Sequence, residues 1–195
     1  MNKKNDLFAD AAITIFSEHG VKHGTMAQIA RQAGVSRQTL YTVYASKSEV
    51  LIAAIAHDAE RRLHTTLAAW KSDKTLADKI DSFVMHDVLP YFRNLFLALS
   101  DPDSEGMIDI QLQLDGIRDA RVSIFADSFK PSAPHLISHG LSPRTFADFF
   151  IRCADGLMQE ARDEAQLTKL YETLKITTLS VLGQGASASG RQGAS

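Results

Sequence analysis

The chain has 195 residues, 45% of them apolar, and 21 Lys+Arg stand against 23 Asp+Glu for a formal charge of −2. That is a globular composition, and it excludes both a strongly basic coat and a long acidic tail. The single cysteine, Cys153, excludes an internal disulfide framework. No apolar run reaches the roughly 18 residues that a membrane helix needs. Asp6 and Asp10 interrupt the apolar stretch that a secretory signal would need, so a soluble, cytoplasmic protein is expected. Ala and Leu are abundant while Gly and Pro are few, which points to an all-α fold.

Taken in chain order, residues 7–19 read as helix from the spacing of Leu7, Ala11 and Ile15, with Gly20 as its stop. A second helix is expected over 26–33, capped by Thr25 and ended by Gly34. A third is expected over 36–44 with Ser36 as cap, and a fourth from about 46 to 70. Over 75–99 the apolar spacing is strong, and Pro90 is expected to kink or break the helix locally. Residues 101–106 read as a loop. Residues 108–115 alternate apolar and polar, the pattern of a strand, yet Ile110, Leu114, Ile117 and Ile124 also fit a helix running to about 129. A lone strand has no visible partner, so helix is preferred. Pro131, Pro134, Gly140 and Pro143 mark the longest loop. Two further helices follow, over 143–161 and 163–182. The last stretch, 183–195, is low in complexity and reads as a disordered tail.

Residues 25–47, TMAQIARQAGVSRQTLYTVYASK, carry the most chemistry. Two helices joined by a short Gly-containing turn have the form of a DNA-binding helix-turn-helix. Ala30 is small where the helices approach. Gly34 can take the left-handed turn conformation. Ile29, Ala33, Val35 and Leu40 fill the angle between the helices. With Ser36 as cap, Arg37, Gln38 and Thr39 occupy the leading turn of the second helix, the part that a recognition helix offers to base edges. Arg can bridge guanine O6 and N7, and Gln can bridge adenine N6 and N7. Thr25, Ser36, Thr39, Tyr41, Thr42, Tyr44 and Lys47 complete the expected DNA-facing set, mostly as phosphate donors. The competing reading is a helical hairpin that contacts protein rather than DNA.

Order and spacing in this stretch resemble the DNA-binding domain of the TetR/AcrR family of transcriptional regulators. The resemblance is carried by Phe16, Gly20, Thr25, Ile29-Ala30, Gly34-Val35-Ser36, Thr39-Leu40-Tyr41, Tyr44 and Lys47. It covers about a quarter of the chain; the remainder agrees only in helix count and length. Two positions depart from the family pattern. Gln38 stands where a small residue is frequent, and Val43 stands where His or Tyr often contacts phosphate. Charge adds modest support: residues 1–47 hold Lys3, Lys4, Lys22, Arg31, Arg37 and Lys47 against Asp6, Asp10 and Glu18, a local excess of three positive charges.

The resemblance implies a DNA-binding domain over 1–47 and a helical effector-binding and dimerisation domain over 48–182. It implies a homodimeric repressor on a palindromic double-stranded operator, released by a small, largely apolar effector. The last two long helices are expected to form the dimer. One carries Phe146, Phe149, Phe150, Cys153 and Leu157; the other carries Leu167, Leu170, Leu174, Ile176, Leu179 and Val181. Phe83, His86, Tyr91, Phe96 and Met107, close to Pro90, are the expected ligand-binding residues. The residues 49–70 are the expected lever between effector and head.

Other signals carry less. The pairs His19–His23 and His135–His139 have metal-like spacing but adjoin glycines and have no nearby cysteine, so no metal site is expected. Cys153 lies on an apolar face and reads as a small hydrophobe. There is no P-loop, GxGxxG or GxSxG motif and no nameable catalytic pair. The expectation is of a protein that is not an enzyme and has no cofactor.

Overall fold

The computed structural model describes residues 3–96 and 107–184, the backbone only at 3, 95–96 and 107–112. Those residues are helical, with no strand among them. The helices are α1 (Lys3–His23), α2 (Met26–Gln32), α3 (Arg37–Tyr41), α4 (Lys47–Ala69), α5 (Leu76–Phe83), α6 (Met107–Phe129), α7 (Ala133–Ser138), α8 (Pro143–Glu160) and α9 (Glu164–Val181). The fold is all-α, a helix-turn-helix head followed by a helical bundle, as the composition predicts.

The chain forms two compact units. One comprises Met1–Ala68 with Met85–Ile117, the other Ala69–Val84 with Arg118–Ser195. In the first, α1 packs on α2, α2 on α3, and the segment Phe92–Phe96 also packs on α1. Its core holds Phe8, Phe16, Ile29, Leu40, Leu51 and Ile55, all fully buried. Burying each such side chain stabilises the fold by roughly 1.5–3 kcal/mol before entropy is counted. In the second unit α8 packs on α9, and α9 on α5. Its centre is aromatic. Phe125 meets Phe150 at 4.7 Å between ring centroids, Phe83 at 5.0 Å and Trp70 at 5.3 Å, while Phe129 meets Phe146 at 5.3 Å. The Tyr171 hydroxyl donates to the Ala154 carbonyl at 3.0 Å, tying α9 to α8 without leaving a buried polar atom unpaired.

Several boundaries differ from the sequence expectation. The first helix runs past residue 19 and kinks at Gly20 (φ 74°, ψ 159°) before one more turn. The helix expected over 75–99, kinked or broken at Pro90, ends as α-helix already at Phe83 and continues as π-helical turns, Val84–Val88 and Phe92–Phe96, on either side of a short turn at Leu89–Tyr91. Pro90 lacks an N–H, so the α-helical ladder cannot continue through it, and wider turns take up the mismatch. The loop expected around 131–143 is largely helical. A 3₁₀ turn at Lys130–Ser132 leads into α7, and Pro131 and Pro134 sit in first turns, where a missing N–H costs nothing. The backbone of 108–115 lies within α6, as preferred above. The loop expected at 101–106 lies outside the described residues, as do residues 185–195 of the expected tail.

Candidate nucleic-acid interface

The head is built from local signals that lock two short helices at a fixed angle. Thr25 caps α2: its hydroxyl accepts from Gln28 N at 3.3 Å, and Gln28 Oε1 accepts from Thr25 N at 2.9 Å. This reciprocal pair fills two donors that the helix end would leave open. At the other end, Val35 N donates to Ala30 O at 2.9 Å and Gly34 N to Arg31 O at 3.1 Å. That is a Schellman turn, and it needs a left-handed residue after the cap. Gly34 supplies it at φ 67°. Ala30, Ala33, Ile29 and Leu40 are buried in the angle, as expected, and Val35 is half-buried.

Ser36 caps α3. Its hydroxyl accepts from Thr39 N at 3.1 Å and lies 2.8 Å from Thr39 Oγ1. This cap fixes where the leading turn points, and Arg37 and Gln38 on that turn are both exposed. Tyr41 is 51% exposed although it is a large aromatic side chain. Thr42 is exposed and donates its hydroxyl to Thr39 O at 2.7 Å. Leu40 alone on α3 is buried, so one apolar side chain anchors a helix whose remaining surface is polar.

Two of the predicted residues, Tyr44 and Lys47, have partners on α1. Tyr44 is half-buried and meets Phe8 edge-on at 6.3 Å. Burial, and then the Asp6 carboxylate, push its phenol above the ordinary value of 10.0. Lys47 Nζ donates to Val21 O at 2.9 Å and to Lys22 O at 3.3 Å, at the end of α1. An ammonium has three donors, so one remains for another acceptor.

Sequence reading passed over several residues. Glu49 Oε2 accepts from Ala45 N at 2.8 Å, and Ser46 Oγ accepts from Glu49 N at 3.2 Å, closing the start of α4. The Ser-x-x-Glu spacing was the available signal. Gly24 is a second case. A Cβ there would lie 2.8 Å from Cδ1 of the fully buried Phe16, so the ring needs glycine beside it.

Three of the expected ligand-binding residues have described side chains. Phe83 is fully buried in the aromatic core of the second unit. His86 and Tyr91 belong to the first unit, His86 half-buried and Tyr91 buried beneath the Arg62 guanidinium at 4.7 Å. The side chains of Phe96 and Met107 lie outside the described residues. On α8 and α9 the apolar residues divide: Phe146, Phe150 and Leu167 are buried, whereas Phe149 and Ile176 are 59% and 63% exposed. Cys153 is half-buried, and burial raises its thiol pKa, which disfavours the reactive thiolate. Among the described residues, no group of three or more His, Cys, Asp and Glu is placed to hold a metal, and no helix is long and apolar enough to cross a membrane.

A capped, polar-faced second helix set by a Schellman turn against the first defines a helix-turn-helix head. Residues 8–54 match the family model for bacterial regulatory proteins of the tetR family. The HTH-type transcriptional regulator SrpR of Pseudomonas putida is 47% identical over 47 residues, which are 24% of this chain and 22% of that protein. The chain thus aligns with less than a quarter of SrpR's length. Among solved structures, a TetR-family transcriptional regulator from Rhodococcus sp. superposes with a TM-score of 0.66 at 19% identity, over 91% of this chain and all of the other. FadR of Bacillus subtilis, solved with stearoyl-CoA, superposes with a TM-score of 0.58 at 18% identity, over 93% of this chain and 97% of that one. At such identities the structures establish the fold, and the sequence match is confined to the head. Residues 8–54 thus carry a head of the tetR-regulator type, and the chain shares the fold of TetR-family regulators.

Proposed function

We propose that this protein is a homodimeric repressor that binds a palindromic operator and is released from it by a small, largely apolar effector. The observation that carries the DNA contact is the leading turn of α3, where Ser36 fixes the helix start and leaves Arg37 and Gln38 exposed together. Those two side chains are the base readers. Thr25, Ser36, Thr39, Tyr41, Thr42, Tyr44 and Lys47 surround them as backbone contacts. Residues 1–47 do the reading, and residues 48–182 serve the effector and the dimer.

Two-fold symmetry is needed because one five-residue helix reaches few base pairs; a second copy doubles the footprint and matches a palindrome. The exposed Phe149 on α8 and Ile176 on α9 support a dimer through these helices. FadR of Bacillus subtilis, of the same fold, was solved with stearoyl-CoA, which favours an effector with a long apolar part. The effector lies against Phe83, His86, Tyr91, Phe96 and Met107, and the protein works in the cytoplasm.

The test is selection of the purified protein from random duplex DNA, with sequencing of what is retained at moderate salt. A motif of two inverted half-sites is expected. A folded dimer that enriches no motif overturns the reading and favours a hairpin that contacts protein, to which Val43 and the small positive excess would then belong.

A further inference from the structure

We propose that an unbroken chain of ion pairs, Asp10–Arg61–Asp58–Arg62–Asp87, couples α1 of the head to the π-helical segment before Pro90; the regulatory meaning of this coupling rests on the reading above. The hub is Asp58 on α4, which is fully buried. One of its oxygens accepts from Arg61 at 2.8 Å, the other from Arg62 Nε at 2.6 Å. Arg61 reaches Asp10 on α1 at 3.0 Å. Arg62, 4% exposed, donates through Nη1 to the Asp87 carboxylate and to the Asp87 carbonyl at 3.1 Å. His57 adds a parallel contact, with Nε2 3.2 Å from Asp10 and Nδ1 3.6 Å from Asp6. Every member belongs to the same compact unit.

The arrangement does more than neutralise charge. A buried ion is tolerated only while it is paired, so Asp58, Arg62 and Asp87 constrain one another, and the half-exposed Arg61–Asp10 pair extends that buried core to α1. Arg62 divides its donors between Asp58, on its own helix, and Asp87, on another segment. If Asp87 moves away, Arg62 retains only Asp58 and draws that carboxylate towards itself. Arg61 shares the same carboxylate and also holds Asp10, so its grip on α1 changes in turn. Asp87 is on a segment suited to moving. Val84–Val88 is π-helical, Pro90 follows, and a π turn has a nearby α register to which it can revert. Tyr91, under the Arg62 guanidinium, is one turn away, and Phe92–Phe96 packs on α1 directly. A molecule that displaces this segment at His86 or Tyr91 is therefore felt at Asp10, through a two-state element that the ion chain ties to the head.

The experiment is hydrogen–deuterium exchange on the full-length protein without ligand, comparing wild type, Asp87→Asn, Asp10→Asn and each combined with Arg61→Met. Arg61→Met cuts the chain at a half-exposed link. Asp87→Asn is expected to speed exchange in α1 by at least about threefold, and Asp10→Asn to do the same over residues 84–88. Both cross-effects are expected to vanish when Arg61 is Met. Should Asp87→Asn unfold the protein, Asp10→Asn, at the exposed end, reports from the other side. Effects confined to each variant's own end, or cross-effects that persist unchanged with Arg61→Met, overturn the proposal. The readout needs no DNA, so the two readings fail separately. Transmission in a protein that selects no operator would sink the DNA reading alone. Independent ends in a protein that does select one would sink the coupling alone.

Discussion

Lys47 Nζ donates to the Val21 carbonyl oxygen at 2.9 Å, joining the first residue of α4 to the end of α1 across 26 positions of sequence. The bond places a positive charge against carbonyls that α1 leaves open, where a cation is favoured. Lys47→Met should therefore lower stability by about 1 kcal/mol, read as a shift in the urea midpoint. It should also weaken binding to every DNA sequence by a similar factor, since a phosphate donor carries no base information. A loss confined to one base position would reassign Lys47 to direct readout.

Arg37→Ala and Gln38→Ala should behave differently from Lys47→Met. Each removes one bidentate reader from an exposed turn, and each should relax specificity at a single position in each half-site. Preference there should fall by about 1–3 kcal/mol, with folding unaffected. Repeating the DNA selection with each variant checks this. Loss of preference across the whole half-site would mean that α3 docks in another orientation.

Gly24→Ala should destabilise the head although the change adds one methyl group. The new Cβ would meet the Phe16 ring at 2.8 Å, and that ring is fully buried and cannot withdraw. Overpacking of this kind costs about 1–3 kcal/mol, visible as a lower melting temperature. An unchanged melting temperature would show that Phe16 has room to turn.

In the second unit, Phe125→Ala should cost about 3–5 kcal/mol, the upper range for a core aromatic, since Phe125 touches Trp70, Phe83, Phe129 and Phe150. Calorimetry on Phe125→Leu and Phe125→Ala separates lost volume from lost ring contacts. A cost under about 1 kcal/mol for the alanine would contradict the packing described here.

Alkaline pH should destabilise the protein through two groups. Tyr44 has its pKa raised by burial and then by Asp6. Burial pulls Lys175 down, but its bonds to Asp81 at 2.6 Å and Glu172 outweigh this and leave its pKa raised. A raised folded pKa means that the folded state holds its proton longer than the unfolded chain does. The associated stability is whole below the unfolded pKa, about 10 for Tyr and 10.4 for Lys, and is lost as pH rises through the folded value. Tyr44→Phe and Lys175→Met should each flatten the fall in urea midpoint above about pH 10. An unchanged slope in both would remove these groups as its cause.

The head was legible because its determinants are local. Thr25 with Gln28, Ser36 with Thr39, and Gly34 with Arg31 each act within five residues, so composition and spacing announce them before any packing is known. The prolines after α6 misled for the opposite reason. Whether Pro131 ends a helix or opens a turn depends on the residues it meets, and the structure uses both Pro131 and Pro134 as openers. The contacts of Phe83 with Phe125 and Phe150 were not legible either, because they join residues more than 40 positions apart.

By itself the sequence determined the all-α class, the helix-turn-helix and the polar turn that it displays. Caps, turn glycines and apolar periodicity are short-range properties, and the chain carries them wherever it goes. Only the tertiary structure decided that Lys47 closes α1, that Phe92–Phe96 packs on α1, and that Asp58 stands between two arginines with Asp10 and Asp87 beyond them. A scattered set of Asp and Arg on amphipathic helices has many possible pairings of similar Coulomb energy. Burial selects among them, because an ion removed from water must find its partner where the packed helix faces bring one.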